Sequence, residues 1–93
     1  MKVEDLILVQ TCDSCPEQYD VYCDRVWVGY IRYRNGVFSC QPVMQRQIQW
    51  LNLIYRTDDF NTNTIPDNLR EEWLNECKQA LTEYWNKLKG DEI

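Results

Sequence analysis

The chain has 93 residues, 44% of them apolar and 13% aromatic, with a formal net charge of −5 and no histidine. That length accommodates one hydrophobic core, and the apolar and aromatic content excludes a chain that stays unfolded. The missing histidine removes the commonest general base and metal ligand, and three glycines are too few for a glycine-rich phosphate loop.

Residues 5–11, built on Leu6-Ile7-Leu8-Val9, predict a first strand, buried on both faces and central in its sheet. Cys12 to Pro16 is rich in turn formers and predicts a loop. Residues 19–23 alternate again and predict a second strand. A three-residue connection, Asp24 to Val26, then leads to a third strand over 27–34, setting Cys23 opposite Trp27 and Tyr19 opposite Ile31. Asn35-Gly36 predicts a type I′ hairpin turn, because both residues tolerate positive φ. It leads to a fourth strand over 37–41, with Arg34 opposite Val37, Tyr33 opposite Phe38, Arg32 opposite Ser39 and Ile31 opposite Cys40.

Side chains alternate along a strand, so this register sorts them into two faces. Tyr19, Val21, Cys23, Trp27, Ile31, Tyr33, Phe38 and Cys40 form the expected core face. Asp20, Tyr22, Val28, Tyr30, Arg32, Arg34, Ser39 and Gln41 form the expected solvated face. Residues 47–56 fit either a helical stripe (Met44, Ile48, Leu51, Tyr55) or a strand, and their β-branched and aromatic density favours a strand. Asp58 to Thr64 reads as a polar connection.

A helix over 66–89 closes the chain. Pro66 and Asp67 suit its first turn, and Lys87, Lys89 and Gly90 its end. Leu69, Trp73, Cys77, Ala80, Leu81, Tyr84 and Leu88 form its apolar stripe, with Trp85 to one side. The expected fold is α+β: a single domain, 1–93, in which a meandering antiparallel sheet of four to five strands is covered by one C-terminal helix.

Three chemistries are open to these side chains. Cys12-x-x-Cys15 has the spacing of half a zinc site, which Cys23 and Cys40 would have to complete; their isolation from each other in sequence favours thiols that simply pack. No cofactor or metal is expected. The carboxylate pairs Asp58-Asp59 and Glu71-Glu72 are adjacent residues, which do not converge on a helix and are solvated in a loop, so catalysis is not expected. The third is charge: residues 25–56 carry Arg25, Arg32, Arg34, Arg46 and Arg56 and no acid, between two acidic flanks. Either these arginines neutralise the flanks, or Tyr30, Arg32 and Arg34, with Tyr22 beside them, form a binding face.

Pro16-Glu17-Gln18-Tyr19-Asp20-Val21, followed by Val28-Gly29-Tyr30-Ile31-Arg32-Tyr33-Arg34 and Gly36-Val37-Phe38, resembles a recurring pattern in short, uncharacterised proteins of bacterial phages and mobile elements. The resemblance covers residues 15–38 and extends loosely through Ile54-Tyr55 to the helix. The chain departs from the pattern at Cys23-Asp24-Arg25-Val26, where a longer acidic or glycine-containing turn is common, and in its glutamine-rich 43–53 segment. The resemblance implies a small phage-type accessory protein that binds a host protein, and it carries no catalytic residue.

The expected function is therefore non-catalytic protein binding. Single-stranded nucleic-acid binding by the arginine and tyrosine face is the first alternative, and a small Cys₄ zinc domain the second. With an odd number of cysteines and only a short apolar run near the start, the expected setting is a reducing cytoplasm without membrane association.

Overall fold

The computed structural model describes residues 1–12, 17–60 and 62–91. A short 3-10 turn (Val3–Asp5) leads into β1 (Leu6–Cys12), followed by β2 (Glu17–Cys23), β3 (Val26–Arg34), β4 (Val37–Met44), β5 (Gln47–Ile48), β6 (Ile54–Thr57) and α1 (Asp67–Asp91). The strands form one antiparallel sheet in chain order β1-β2-β3-β4, and β5 and β6 each pair with β4. The helix packs on one face of this sheet, which is the expected α+β arrangement.

Three tight turns shape the meander. Asp24-Arg25, Asn35-Gly36 and Gln45-Arg46 all have positive φ at both residues, from 50° to 76°. That geometry matches the right-handed twist of the strands they join. Only Asn35-Gly36 announces it in sequence. At Gly36 the requirement is doubled, since an added Cβ would stand 2.5 Å from the Asp58 carbonyl oxygen.

The β2–β3 turn is two residues long, one shorter than expected. A bulge restores the register: Cys23 pairs with Val26 and Tyr22 with Trp27, after which Val21 pairs with Gly29 and Tyr19 with Ile31. Asp20 consequently stays outward, as expected, but two neighbours exchange roles. Trp27 stands on the outer side opposite Tyr22, whereas Val28 is buried in the core. The extra residue of the bulge is what re-aims them.

Two further expectations are corrected. β1 is an edge strand and not a central one: Leu6 is buried and Leu8 packs on the core, but Ile7 is 62% and Val9 45% exposed. Residues 47–56 are not one strand. The Gln49 N–H donates to the Pro42 carbonyl at 2.9 Å and the Leu53 N–H to the Cys40 carbonyl at 2.8 Å. Only Gln41 separates those acceptors, so Trp50, Leu51 and Asn52 are looped out of the edge, leaving Trp50 87% exposed.

The core lies between sheet and helix. Tyr19, Val21, Ile31, Tyr33, Phe38 and Cys40 meet Trp73, Cys77 and Leu81, with the Phe38 and Trp73 rings 4.9 Å apart. Gly29 lets the helix approach, because a Cβ there would fall 2.5 Å from Leu81 Cδ1. Trp85 follows Leu81 at the next i+4 step, packs on the core and donates its Nε1–H to the Val28 carbonyl at 3.0 Å. The stripe therefore runs Trp73-Cys77-Leu81-Trp85, and the expectation that Trp85 falls beside it is corrected.

Candidate binding face

The helix lies on one side of the sheet, and among the described residues no layer covers the other side. Strand pairing aligns Val9, Asp20, Tyr30 and Gln41 across four strands, and Gln18, Arg32, Ser39 and Tyr55 across the next row. Arg34, Val37 and Thr57 make a third row at the hairpin end. The expected site residues Tyr30, Arg32 and Arg34 thus share this face. Tyr22 joins them at its other end, opposite Ile7 and Trp27. Gln41 is on the face but not solvated: it is 6% exposed and its Nε2 donates to Asn52 Oδ1 of the looped-out segment at 2.5 Å.

Of the six arginines, Arg56 and Arg70 are ion-paired among the described residues, whereas Arg25, Arg32, Arg34 and Arg46 are not. Arg56, on the core side of β6, pairs with Glu76 at 2.6 Å and lies over the Trp73 ring, 5.0 Å from its centroid. Arg70, in the first turns of α1, pairs with Glu17 at 2.9 Å and also with Asp67. Arg32 and Arg34 take part in no ion pair among the described residues. They line a shallow concavity of ≈260 Å³ with Asn35, Val37 and Ser39. Arg34 is exposed, and Arg32 is half-buried with its Nε sealed from solvent and lacking a hydrogen-bond partner among the described residues.

The electrostatics agree with an absent internal partner. Asp20, diagonal to Arg32, has its carboxyl raised because burial outweighs the lowering effect of the Trp27 indole, whose N–H faces it without reaching hydrogen-bond geometry. The hydroxyl of Tyr30 is likewise raised by burial, against the nearby Arg32 charge.

One polar cluster had no sequence signal. Glu17, 1% exposed, accepts from Arg70 Nε at 2.9 Å, Arg70 Nη2 at 3.2 Å, the Ile65 N–H at 2.9 Å and the Tyr19 hydroxyl. Its partners come from β2, the loop before α1 and α1 itself, with up to 53 residues between them. Every oxygen is committed to the fold, so the carboxylate is a structural tie.

Cys12, Cys23 and Cys40 stand apart from one another. Cys12 and Cys23 close opposite ends of the β1–β2 pair, since Leu6 is opposite Cys23 and Cys12 opposite Gln18. Cys40 is fully buried, as is Cys77, and the neighbouring Cys40 thiol together with burial raises the Cys77 thiol. Cys15 lies outside the described residues. Among the described residues no group of three or more His, Cys, Asp or Glu side chains is placed to hold a metal ion. The carboxylate of Asp58 is engaged by the Tyr33 hydroxyl at 3.0 and 3.1 Å and by the Phe60 N–H at 3.0 Å.

Comparison with family models, curated proteins and solved structures gives no match. Among the described residues, no helix is long and apolar enough to cross a membrane.

Proposed function

We propose that this chain is a small non-catalytic accessory protein of the phage type, which binds an acidic region of a host protein through the open face of its sheet. The supporting observation is the division among its arginines. Arg56 and Arg70 are paired within the fold, whereas Arg32 and Arg34 share a concavity with no acidic side chain in ion-pair range among the described residues. Holding a guanidinium nitrogen away from water without a partner costs stability, and a carboxylate arriving from outside would satisfy it. Arginine's planar fork suits a carboxylate, and the tyrosines beside it supply flat contact area at low entropic cost.

The test is an affinity pull-down from bacterial lysate with the parent and the R32A/R34A variant, accompanied by thermal melts of both. The expected result is a host protein retained by the parent and lost by the variant, with melting unchanged. A variant that melts markedly lower, or that retrieves the same proteins, refutes the reading. Binding of single-stranded oligonucleotide that falls steeply with salt, with a slope flattened in R32A/R34A, would replace the protein partner by nucleic acid.

A further inference from the structure

The two edges of the sheet are built very differently. One is formed by β5 and β6, strands of two and four residues, with Trp50 to Asn52 looped out between them. Arg46 and Arg56 add charge to it. Short strands, interruptions and charges are how native sheets keep an edge from pairing with another chain. The opposite edge, β1, is interrupted only near its end, where its register with β2 shifts between Gln10 and Cys12, and its Leu6–Gln10 stretch is regular. Its seven residues, Leu6-Ile7-Leu8-Val9-Gln10-Thr11-Cys12, include no charge and no proline, and β2 is the one strand paired with β1 among the described residues. Ile7 and Val9 are exposed beside that free edge.

We infer that β1 is a dimerisation edge, pairing antiparallel with β1 of a second copy of this chain, centred on Leu8. The register follows from the strand's own sequence. With Leu8 opposite its equivalent, Ile7 of each copy faces Val9 of the other, so both exposed apolar residues gain an apolar cross-strand neighbour. Leu6 of each copy faces Gln10 of the other, and the acids Glu4 and Asp5 belong to the 3-10 turn before the strand, so no like charges meet within the paired Leu6–Gln10 stretch. Centring on Val9 instead would set Ile7 against Thr11 and Leu8 against Gln10, leaving both without an apolar cross-strand neighbour.

A two-fold axis makes the contact self-complementary and closed, so it stops at a dimer. Residues directly opposite in an antiparallel pair point to the same side. Both helices therefore lie on one side of the joined sheet and both open faces on the other, which doubles the surface bearing Tyr30, Arg32 and Arg34. The pairing does not depend on what that surface binds.

Sedimentation velocity across a concentration series, with circular dichroism to verify folding, tests the inference. The parent should be a dimer that dissociates on dilution. Because Ile7 and Val9 are exposed, I7K/V9K should fold like the parent yet be monomeric, as it sets lysines opposite one another. I7E/V9E should be monomeric for the same reason, and an equimolar mixture of the two variants should recover a heterodimer. A parent that stays monomeric up to about 100 µM overturns the proposal. So does a dimer that survives I7K/V9K, or a mixture of folded variants that fails to associate.

Discussion

Arg70 reaches from the first turns of the helix to Glu17 at the start of β2, placing Nε 2.9 Å from one carboxylate oxygen and Nη2 3.2 Å from the other. The same guanidinium donates from Nη2 to the Ile65 carbonyl at 2.8 Å, and the Glu17 backbone N–H donates to the Asn63 carbonyl at 3.1 Å. Helix, incoming loop and sheet are thereby joined at one buried point. R70A leaves a carboxylate that is 1% exposed without its counter-charge, and should cost about 3–5 kcal/mol in urea unfolding. E17Q/R70M, which removes both charges, should cost clearly less than R70A.

The same pair sets an acid limit on stability. Burial by itself would raise the Glu17 carboxyl, but the hydrogen bonds from Arg70, Tyr19 and Ile65 outweigh it and leave the group below its ordinary value. The unfolded chain then binds this proton more tightly than the folded one. The stabilisation is complete above the ordinary glutamate range and is lost as pH falls through the depressed folded value. Thermal melts from neutral to acid pH should show a shallower decline for E17Q than for the parent. On the alkaline side the Tyr19 hydroxyl is pushed up to about 12 by burial and the adjacent Glu17 charge, so its contribution is complete below the ordinary tyrosine range and disappears as pH rises through that value.

Removing either ring of the Phe38–Trp73 contact should cost about 3–5 kcal/mol, a large part of the stability of so small a domain. W73A also strips the surface over which the Arg56 guanidinium lies. The losses in F38A and W73A should not add in a double-mutant cycle, because the two rings share one contact and one arginine.

The turns offer a gain as well as a loss. Arg25 and Arg46 occupy left-handed backbone at φ 68° and 63°, a conformation that costs a side chain roughly 1–2 kcal/mol. R25G should therefore raise stability by about 0.5–1 kcal/mol, part of the gain being offset by the entropy of a freer unfolded chain. G36A should do the reverse, because it meets both the left-handed φ of 76° and the Asp58 carbonyl oxygen at 2.5 Å. Chemical denaturation of both variants checks the opposite signs.

Cys40 and Cys77 are both sealed in the core, so neither should react with a thiol reagent in the folded protein at neutral pH. Labelling followed by mass mapping should find them modified only after denaturation. Fast modification under native conditions would contradict the packing of α1 on β4.

Much of this architecture follows from local chemistry. The Asn35-Gly36 hairpin and its cross-strand partners are set by backbone tolerance for positive φ together with period-two alternation, both properties of adjacent residues. The long helix is legible because apolar residues recur at three- and four-residue steps over many turns. The placing of Tyr30, Arg32 and Arg34 on one face follows from that same hairpin register.

What tertiary structure decided is wherever two patterns fit and only packing chooses. The Leu6–Val9 run reads equally as a buried central strand or an edge, and the choice depends on whether another strand covers it. Trp27 and Val28 exchange faces because a single bulged residue absorbs the mismatch of a two-residue turn that neither Asp24 nor Arg25 announces. Residues 47–56 split because β4 offers fewer pairing positions than they could fill, so Trp50 is extruded. Glu17 finds Arg70 only once β2 and the helix are brought together. Whether Arg32 and Arg34 found an acid at home was decided in the same way: sequence placed acidic flanks on both sides of the arginines, and the folded chain spent its buried ion pair on Glu17 and Arg70 while leaving these two to face outward. Alternation and turn preference act over a few residues, whereas pairing across the fold depends on which surfaces meet when the core closes.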